Sequence, residues 1–301
     1  MDYKLYLRDK GIYKSKDHYF YSDKKQVTDV LTIERLNNLR VPPAWRNVWY
    51  ASNEKCHIQV HGLDNAGKKQ YILSQRWTQK ARYKKYVRMK EFMKDISRFK
   101  RKIKLNFNGV INIDKTTLTK LLFNLLMDLH IRIGNEKYAS QNKSYGLTTL
   151  RQKHCLKKES YYLNFDGKSK IHHSIEVPKK YNIYFKILKV DNSDDLLFSN
   201  QINSETLNDF LKKNMGEKYT CKDFRTYSAN VLYIKAFLKN SKKQGNVKKI
   251  VLQSIDESAK KLGHSRSIAR KSYISESLVD YCLESFDVAS SEDSETLLLR
   301  V

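Results

Sequence analysis

The feature that most constrains how this chain folds is a change in apolar periodicity near Trp77. Before it, His57-Ile58-Gln59-Val60-His61 alternates as a half-buried strand does. The chain then turns through Gly62-Leu63-Asp64-Asn65-Ala66-Gly67 and resumes at Gln70-Tyr71-Ile72-Leu73, which predicts a β-hairpin. Residues 4–7 and 19–21 read as further short strands, and residues 32–39 as a short helix stopped by Pro42-Pro43. After Trp77, Tyr86, Met89, Met93 and Ile96 recur at intervals of three and four, the stripe of an amphipathic helix. Asp114 is placed to cap a second helix that carries Leu118, Leu121, Leu122, Leu125 and Leu129, and Arg132 falls where that helix runs out. Short strands return between residues 147 and 177, with Asp166-Gly167 as a two-residue hairpin turn, and helical patterns run from Lys179 onward. The expected fold class is α+β: a small β-rich domain over residues 1–77 and a larger, mainly helical domain over 78–301. The polar stretch Trp77-Thr78-Gln79-Lys80 is expected to join them, and the last dozen residues, with Ser290-Ser291-Glu292-Asp293, to form a frayed tail.

A 40% hydrophobic content over 301 residues is enough for a packed core and excludes a disordered chain. The excess of 58 basic over 32 acidic residues, net +26, is spread along most of the sequence and calls for a polyanionic partner. Nucleic acid fits better than an acidic membrane, because neither a long apolar span nor an amphipathic anchor is present. The N-terminus Met1-Asp2-Tyr3-Lys4-Leu5 lacks the apolar core of a signal peptide, so an intracellular location is expected. Cys56, Cys155, Cys221 and Cys282 lie far apart without Cys-x-x-Cys spacing, which suits free thiols in a reducing compartment rather than disulfides or zinc. Gly62 to Lys68 has the spacing of a phosphate-binding loop, but Lys69 follows where Ser or Thr is needed and strand-like residues follow where a helix is needed. Neither a metal nor a nucleotide cofactor is therefore expected.

A set of polar residues remains to be explained: Arg132 before Gly134, Lys168 after Gly167, Lys222 and Arg225 within Lys-Asp-Phe-Arg-Thr-Tyr, His264 after Gly263, and Tyr273 nine residues on. Among 20 tyrosines and 58 basic residues no single member stands out; their order does. In these contexts the chain resembles the type IB DNA topoisomerases, especially the small enzymes of poxviruses, giant viruses and bacteria. The resemblance extends to Val41-Pro42-Pro43-Ala44-Trp45, His57-Ile58-Gln59-Val60 and Gly67-Lys68-Lys69-Gln70-Tyr71, covering roughly residues 30 to 280. It implies a tyrosine-recombinase-like catalytic domain and a monomer that closes as a clamp around duplex DNA. The chemistry suits the residues. A phenol, with a pKa of about 10, needs help with its proton and with the charge it passes to phosphorus. Tyr273 would attack the phosphodiester to give a 3′-phosphotyrosyl link, and the guanidiniums of Arg132 and Arg225 would fork onto the non-bridging oxygens. His264 would donate to one of those oxygens, Lys168 would protonate the departing 5′-oxygen, and Lys222, three residues before Arg225, would assist.

The resemblance also implies that Gln70 and Tyr71 enter the major groove and that Tyr138 faces DNA. Leu73 replaces a frequent second aromatic, and Asn135 stands where the poxvirus enzymes carry lysine, both of which bear on site preference. A tyrosine recombinase typically has His-x-x-Arg where this chain has Lys222-x-x-Arg225, and a helical rather than β-rich domain in front. A non-enzymatic DNA-packaging protein would use the charge but has no need of His264 and Tyr273 in register.

Overall fold

The computed structural model describes residues 6–108, 111–188, 191, 193–198, 201–243 and 245–300. The chain forms two compact units, Met1–Lys85 and Tyr86–Val301.

In the first unit, β1 (Ile12–Ser15), β2 (His18–Tyr21), β3 (Arg46–Tyr50), β4 (Ile58–Leu63) and β5 (Lys69–Leu73) make one antiparallel sheet in the order β2-β1-β3-β4-β5. Alternation buries Ile12, Tyr19, Tyr50 and Val60 together with Leu36 of α1 (Val30–Asn38). That helix starts where the Asp29 carboxylate accepts the Thr32 amide at 2.8 Å. The expected β4–β5 hairpin is present. Asp64 closes it by accepting the amides of Ala66 and Lys68 at 3.0 and 2.9 Å, so this segment is a turn and not a phosphate loop. Strands β1 and β3 escaped the sequence pattern, and of the strand expected over residues 4–7, residues 6 and 7 lie in a helical turn that runs to residue 8, while residues 4 and 5 lie outside the described residues.

α2 (Gln75–Lys102) follows β5 at once, because Ser74 caps it: its Oγ accepts the Trp77 amide at 3.2 Å and its carbonyl the Thr78 amide at 2.9 Å. Trp77-Thr78-Gln79-Lys80 is thus the opening of a 28-residue helix rather than a connector, and its polar side chains are helix surface. The division between the two units falls inside this helix.

The second unit contains α3 (Lys115–Asp128), α4 (Glu136–Asn142), a three-stranded sheet of β6 (Cys155–Lys157), β7 (Tyr161–Asp166) and β8 (His172–Glu176), then α5 (Asn182–Ile187), α6 (Ser204–Met215), α7 (Cys221–Asn240), α8 (Val247–Lys261), α9 (Arg266–Ser272), α10 (Glu276–Glu284), α11 (Phe286–Ser291) and α12 (Ser294–Leu298). Asp114 caps α3 as expected, accepting the Thr117 amide at 2.7 Å. The apolar stripe of α2 buries Met89, Phe92, Ile96 and Phe99, with Met93 on its flank. Phe92 meets Phe224 edge-on at 5.0 Å and Phe99 meets Phe123 edge-on at 5.0 Å, so α2 and α3 both grip α7 through aromatic rings. Each such buried ring contributes roughly 1.5–3 kcal/mol. At the C-terminal end, the segment read as a frayed tail is ordered: Asp293 accepts the Glu295 and Thr296 amides, both at 2.8 Å, to start α12, whose Leu297 is fully buried.

Candidate active site

Nearly every side of α7 is covered, and the helix carries a guanidinium into the interior. Its first turn is fixed by Asp223, which accepts the Thr220 amide at 2.9 Å and Arg88 Nη2 at 2.9 Å. Two residues on, Arg225 is only 7% exposed. It donates to the His130 carbonyl at 2.5 Å, to the Leu262 carbonyl, and to His264 Nε2 from Nη2 at 3.1 Å and from Nε at 3.3 Å. These partners are two carbonyls and an imidazole rather than a carboxylate. Burial and then the charge of Arg132 push the Arg225 pKa down from 12.5 to about 10, against the pull of the Tyr273 hydroxyl, so the group stays cationic at neutral pH. A buried cation held by neutral groups is costly to maintain and is preorganised for an oxyanion.

Because Arg225 donates to Nε2 of His264, the neutral imidazole carries its proton on Nδ1. Burial, then the charges of Arg225, Arg132 and Lys168, push this histidine down to about 3. The fields of three cations from three separate segments converge on one ring.

The chain reaches Arg132 through a non-glycine turn. α3 ends, His130 adopts φ +53°, and its carbonyl thereby meets Arg225. The Arg132 carbonyl then accepts the Leu147 amide at 2.8 Å and the Ile133 carbonyl accepts the Thr148 amide at 2.7 Å. Gly134 and Gly146 pass so closely that a Cβ on Gly146 would lie 2.6 Å from Gly134 Cα and 2.7 Å from the Arg132 carbonyl oxygen. Glycine at both positions is what lets the arginine segment pack there.

Ser265 caps α9, accepting the Ile268 amide at 3.3 Å, and Tyr273 closes that helix by donating its amide to the Ala269 carbonyl at 3.0 Å. Its own carbonyl accepts Asn230 Nδ2 at 3.1 Å, while Asn230 Oδ1 accepts the Ser275 amide at 2.9 Å. Asn230 is fully buried five residues after Arg225 on α7, so one helix fixes both the guanidinium and the backbone of the tyrosine. The Tyr273 ring stacks on His264 with centroids 4.6 Å apart and planes 20° apart, and Arg225 Cζ lies 6.0 Å from its centroid.

Lys168 stands exposed in the β7–β8 connection. That connection is not the expected two-residue turn. Asp166 pairs with His172, and residues 167–171 form a longer loop whose left-handed positions are Ser169 and Lys170, with φ +63° and +58°.

Arg132, Lys168, Arg225, His264 and Tyr273 are therefore brought together. Lys222 is exposed one turn before the buried Arg225, and Tyr138 is 52% exposed on α4. In the first unit Tyr71 is 49% exposed, with the Lys69 ammonium 5.7 Å from its ring centroid, and Gln70 donates to Asp64 Oδ2 at 2.7 Å. Sequence reasoning missed His130, Asn230 and His173. A left-handed histidine has no sequence signal, whereas Asn230 could be suspected as a polar residue on the apolar side of a helix.

The partly buried histidines make a pH prediction. Burial lowers His130 from 6.5 to about 4, and His173 is lowered by burial and then by Arg225 and Arg132. The folded values of His130, His173 and His264, and also those of His154 and His61, lie below the unfolded one, so below pH 6.5 the unfolded chain takes up protons that the folded chain refuses. Stability is full above 6.5 and is lost as pH falls towards 4. With the half-exposed His264 and His173 discounted for solvent screening, the loss between pH 7 and 5 should be on the order of 1–3 kcal/mol. Urea unfolding at the two pH values measures it; an unchanged midpoint would contradict the burial of these rings.

Residues 74–291 match the family described as eukaryotic DNA topoisomerase I, catalytic core, and residues 17–64 match the bacterial DNA topoisomerase IB N-terminal domain. The chain is 32% identical over 298 residues to the DNA topoisomerase 1B of Acanthamoeba polyphaga mimivirus, covering 91% of this chain and 87% of that protein. It is 28% identical to vaccinia virus DNA topoisomerase 1B over 73% of this chain and 70% of that protein. It is 27% identical to the DNA topoisomerase 1 of rabbit fibroma virus over 88% of each.

Proposed function

This chain belongs to the type IB DNA topoisomerases, and we propose that it relaxes supercoils by cutting and resealing one strand through a 3′-phosphotyrosyl link on Tyr273. The observation that carries the reading is the convergence of Arg225, Arg132 and Lys168 on His264, which stacks on Tyr273. The Tyr273 oxygen forms a bond to phosphorus as the bond to the 5′-oxygen breaks; the phenol gives up its proton to water, and Lys168 delivers one to the departing oxygen. Arg132 and Arg225 hold the non-bridging oxygens, on which about two negative charges accumulate in the transition state. The two Arg225 donors aimed at His264 are the ones a phosphate oxygen can take. Nε2 is then released beside a dianion, which raises the affinity of the imidazole for a proton and turns it into a donor. The 5′-hydroxyl reverses the steps and reseals the strand.

On this reading Lys222 supports Arg225, Tyr138 faces DNA, and Gln70 and Tyr71 of the first unit enter the major groove as the protein, a monomer, closes around the duplex. Site preference would reside in those contacts. On the same reading it works inside the cell; for a viral enzyme, as its relatives are, that means the host cytoplasm or virus factory, with packaging in the virion as the alternative. No helix among the described residues is long and apolar enough to cross a membrane.

Since the five side chains supply every charge the chemistry needs, plasmid relaxation of both supercoil signs should proceed in EDTA without nucleotide. It should weaken at high salt, because the phosphate contacts release counterions on binding. Strict dependence on magnesium or ATP would overturn the mechanism.

A further inference from the structure

We propose that His173 is a positioning residue whose ring, wedged between Gly167 and Gly263, sets the spacing between Lys168 and His264. The inference rests on the reading of those two groups as acting on the scissile phosphate. His173 lies on β8 opposite Phe165 of β7, and the two rings stack with centroids 5.0 Å apart and planes 22° apart. From that platform the imidazole fills the space two glycines leave. A Cβ on Gly167 would lie 2.8 Å from its Cδ2 and Nε2, and one on Gly263 would lie 2.8 Å from its Cε1. Gly167 immediately precedes Lys168 and Gly263 immediately precedes His264, so one ring touches the backbone before each.

Gly167 has φ −87°, a conformation open to any residue, so its need for glycine is the closeness of the ring and not a left-handed turn. Gly263, at φ +61°, needs glycine on both counts. The same ring lies against both backbone segments, so a shift of one wall is passed through it to the other. Burial and the neighbouring Arg225 and Arg132 keep His173 neutral, so that it acts as a spacer without adding charge to the cluster. Removing the ring frees the lysine loop, which is exposed on its outer side, to drift from the phosphate.

The test uses the full chain and compares wild type, His173→Ala, His173→Phe, Gly167→Ala and the Gly167→Ala/His173→Ala double variant. Single-turnover cleavage is measured on a duplex with an ordinary phosphodiester and on one with a 5′-bridging sulfur, whose thiolate leaves without a proton. His173→Ala should slow ordinary cleavage by about 10–100-fold, the scale of a misplaced catalytic group, with a clearly smaller deficit on the sulfur substrate. His173→Phe keeps the stacked ring and should restore most of the rate. Gly167→Ala should be slow alone, yet add little to His173→Ala, because the added methyl then finds space. An ordinary-substrate rate for His173→Ala within about twofold of wild type, equal deficits on both substrates, or a phenylalanine variant that binds DNA normally but cleaves no faster than the alanine one would overturn the assignment. Failure of the parent reading would show differently, as the absence of covalent cleavage by the wild-type protein.

Discussion

Tyr273→Phe is expected to fold, to bind duplex DNA and to fail to cleave it. The ring is what the protein packs: its face lies on His264 at 4.6 Å, and phenylalanine keeps that stack. The backbone is held independently of the hydroxyl, through Asn230 to the Tyr273 carbonyl and through the Tyr86 hydroxyl to the Ile274 carbonyl at 2.8 Å. Stability should therefore change by less than about 1 kcal/mol, while cleavage falls by at least roughly four orders of magnitude, the scale seen when a nucleophile is removed from an intact site. Comparison of binding titrations with single-turnover cleavage separates the two effects. A variant that still relaxes plasmid at a measurable fraction of the wild-type rate would move the nucleophile elsewhere, with Tyr281, whose hydroxyl donates to Glu292 Oε1 at 2.9 Å, the next tyrosine along the chain.

Lys168→Ala should give the second large effect, with a selective signature. Lys168 is exposed on a loop, so its truncation should leave the fold within about 0.5 kcal/mol of wild type. Loss of a positioned general acid should slow cleavage of an ordinary phosphodiester by about 10²–10⁴-fold and spare a 5′-sulfur-bridged substrate, where no proton is required. Equal loss on both substrates would assign Lys168 to charge stabilisation instead and move the acid role elsewhere, with Lys222 or Arg225 next in line.

What could be read from the sequence follows the range over which each signal acts. Amphipathic periods found α2, α3 and the β4–β5 hairpin because one buried face is enough to write them. The Asp114 cap was legible because capping is settled within four residues. Asp166-Gly167 misled for a long-range reason. The pair signals a tight turn by its usual chemistry, but Gly167 is glycine because His173, brought back by the strand pairing, leaves no room for a side chain. Trp77 to Lys80 misled because a polar opening turn looks like a linker until Ser74 is seen to cap it. The tail misled because its serine-rich composition hid Leu297, which the second unit buries completely. At the site, the five catalytic candidates were legible only in their order along the chain. Their convergence depends on the left-handed turn at His130 and on the depth of Asn230, and no local pattern encodes either.

The most direct test of the account is chemical capture of the nucleophile. Wild-type protein is incubated with duplex DNA in EDTA, quenched with denaturant during reaction, digested, and the DNA-linked peptide is sequenced. The expected product is a nick whose 3′ end is joined to Tyr273, with relaxation of a single plasmid and no strand exchange between paired sites. A link to any other residue, or DNA bound and compacted with no covalent link at all, would contradict it.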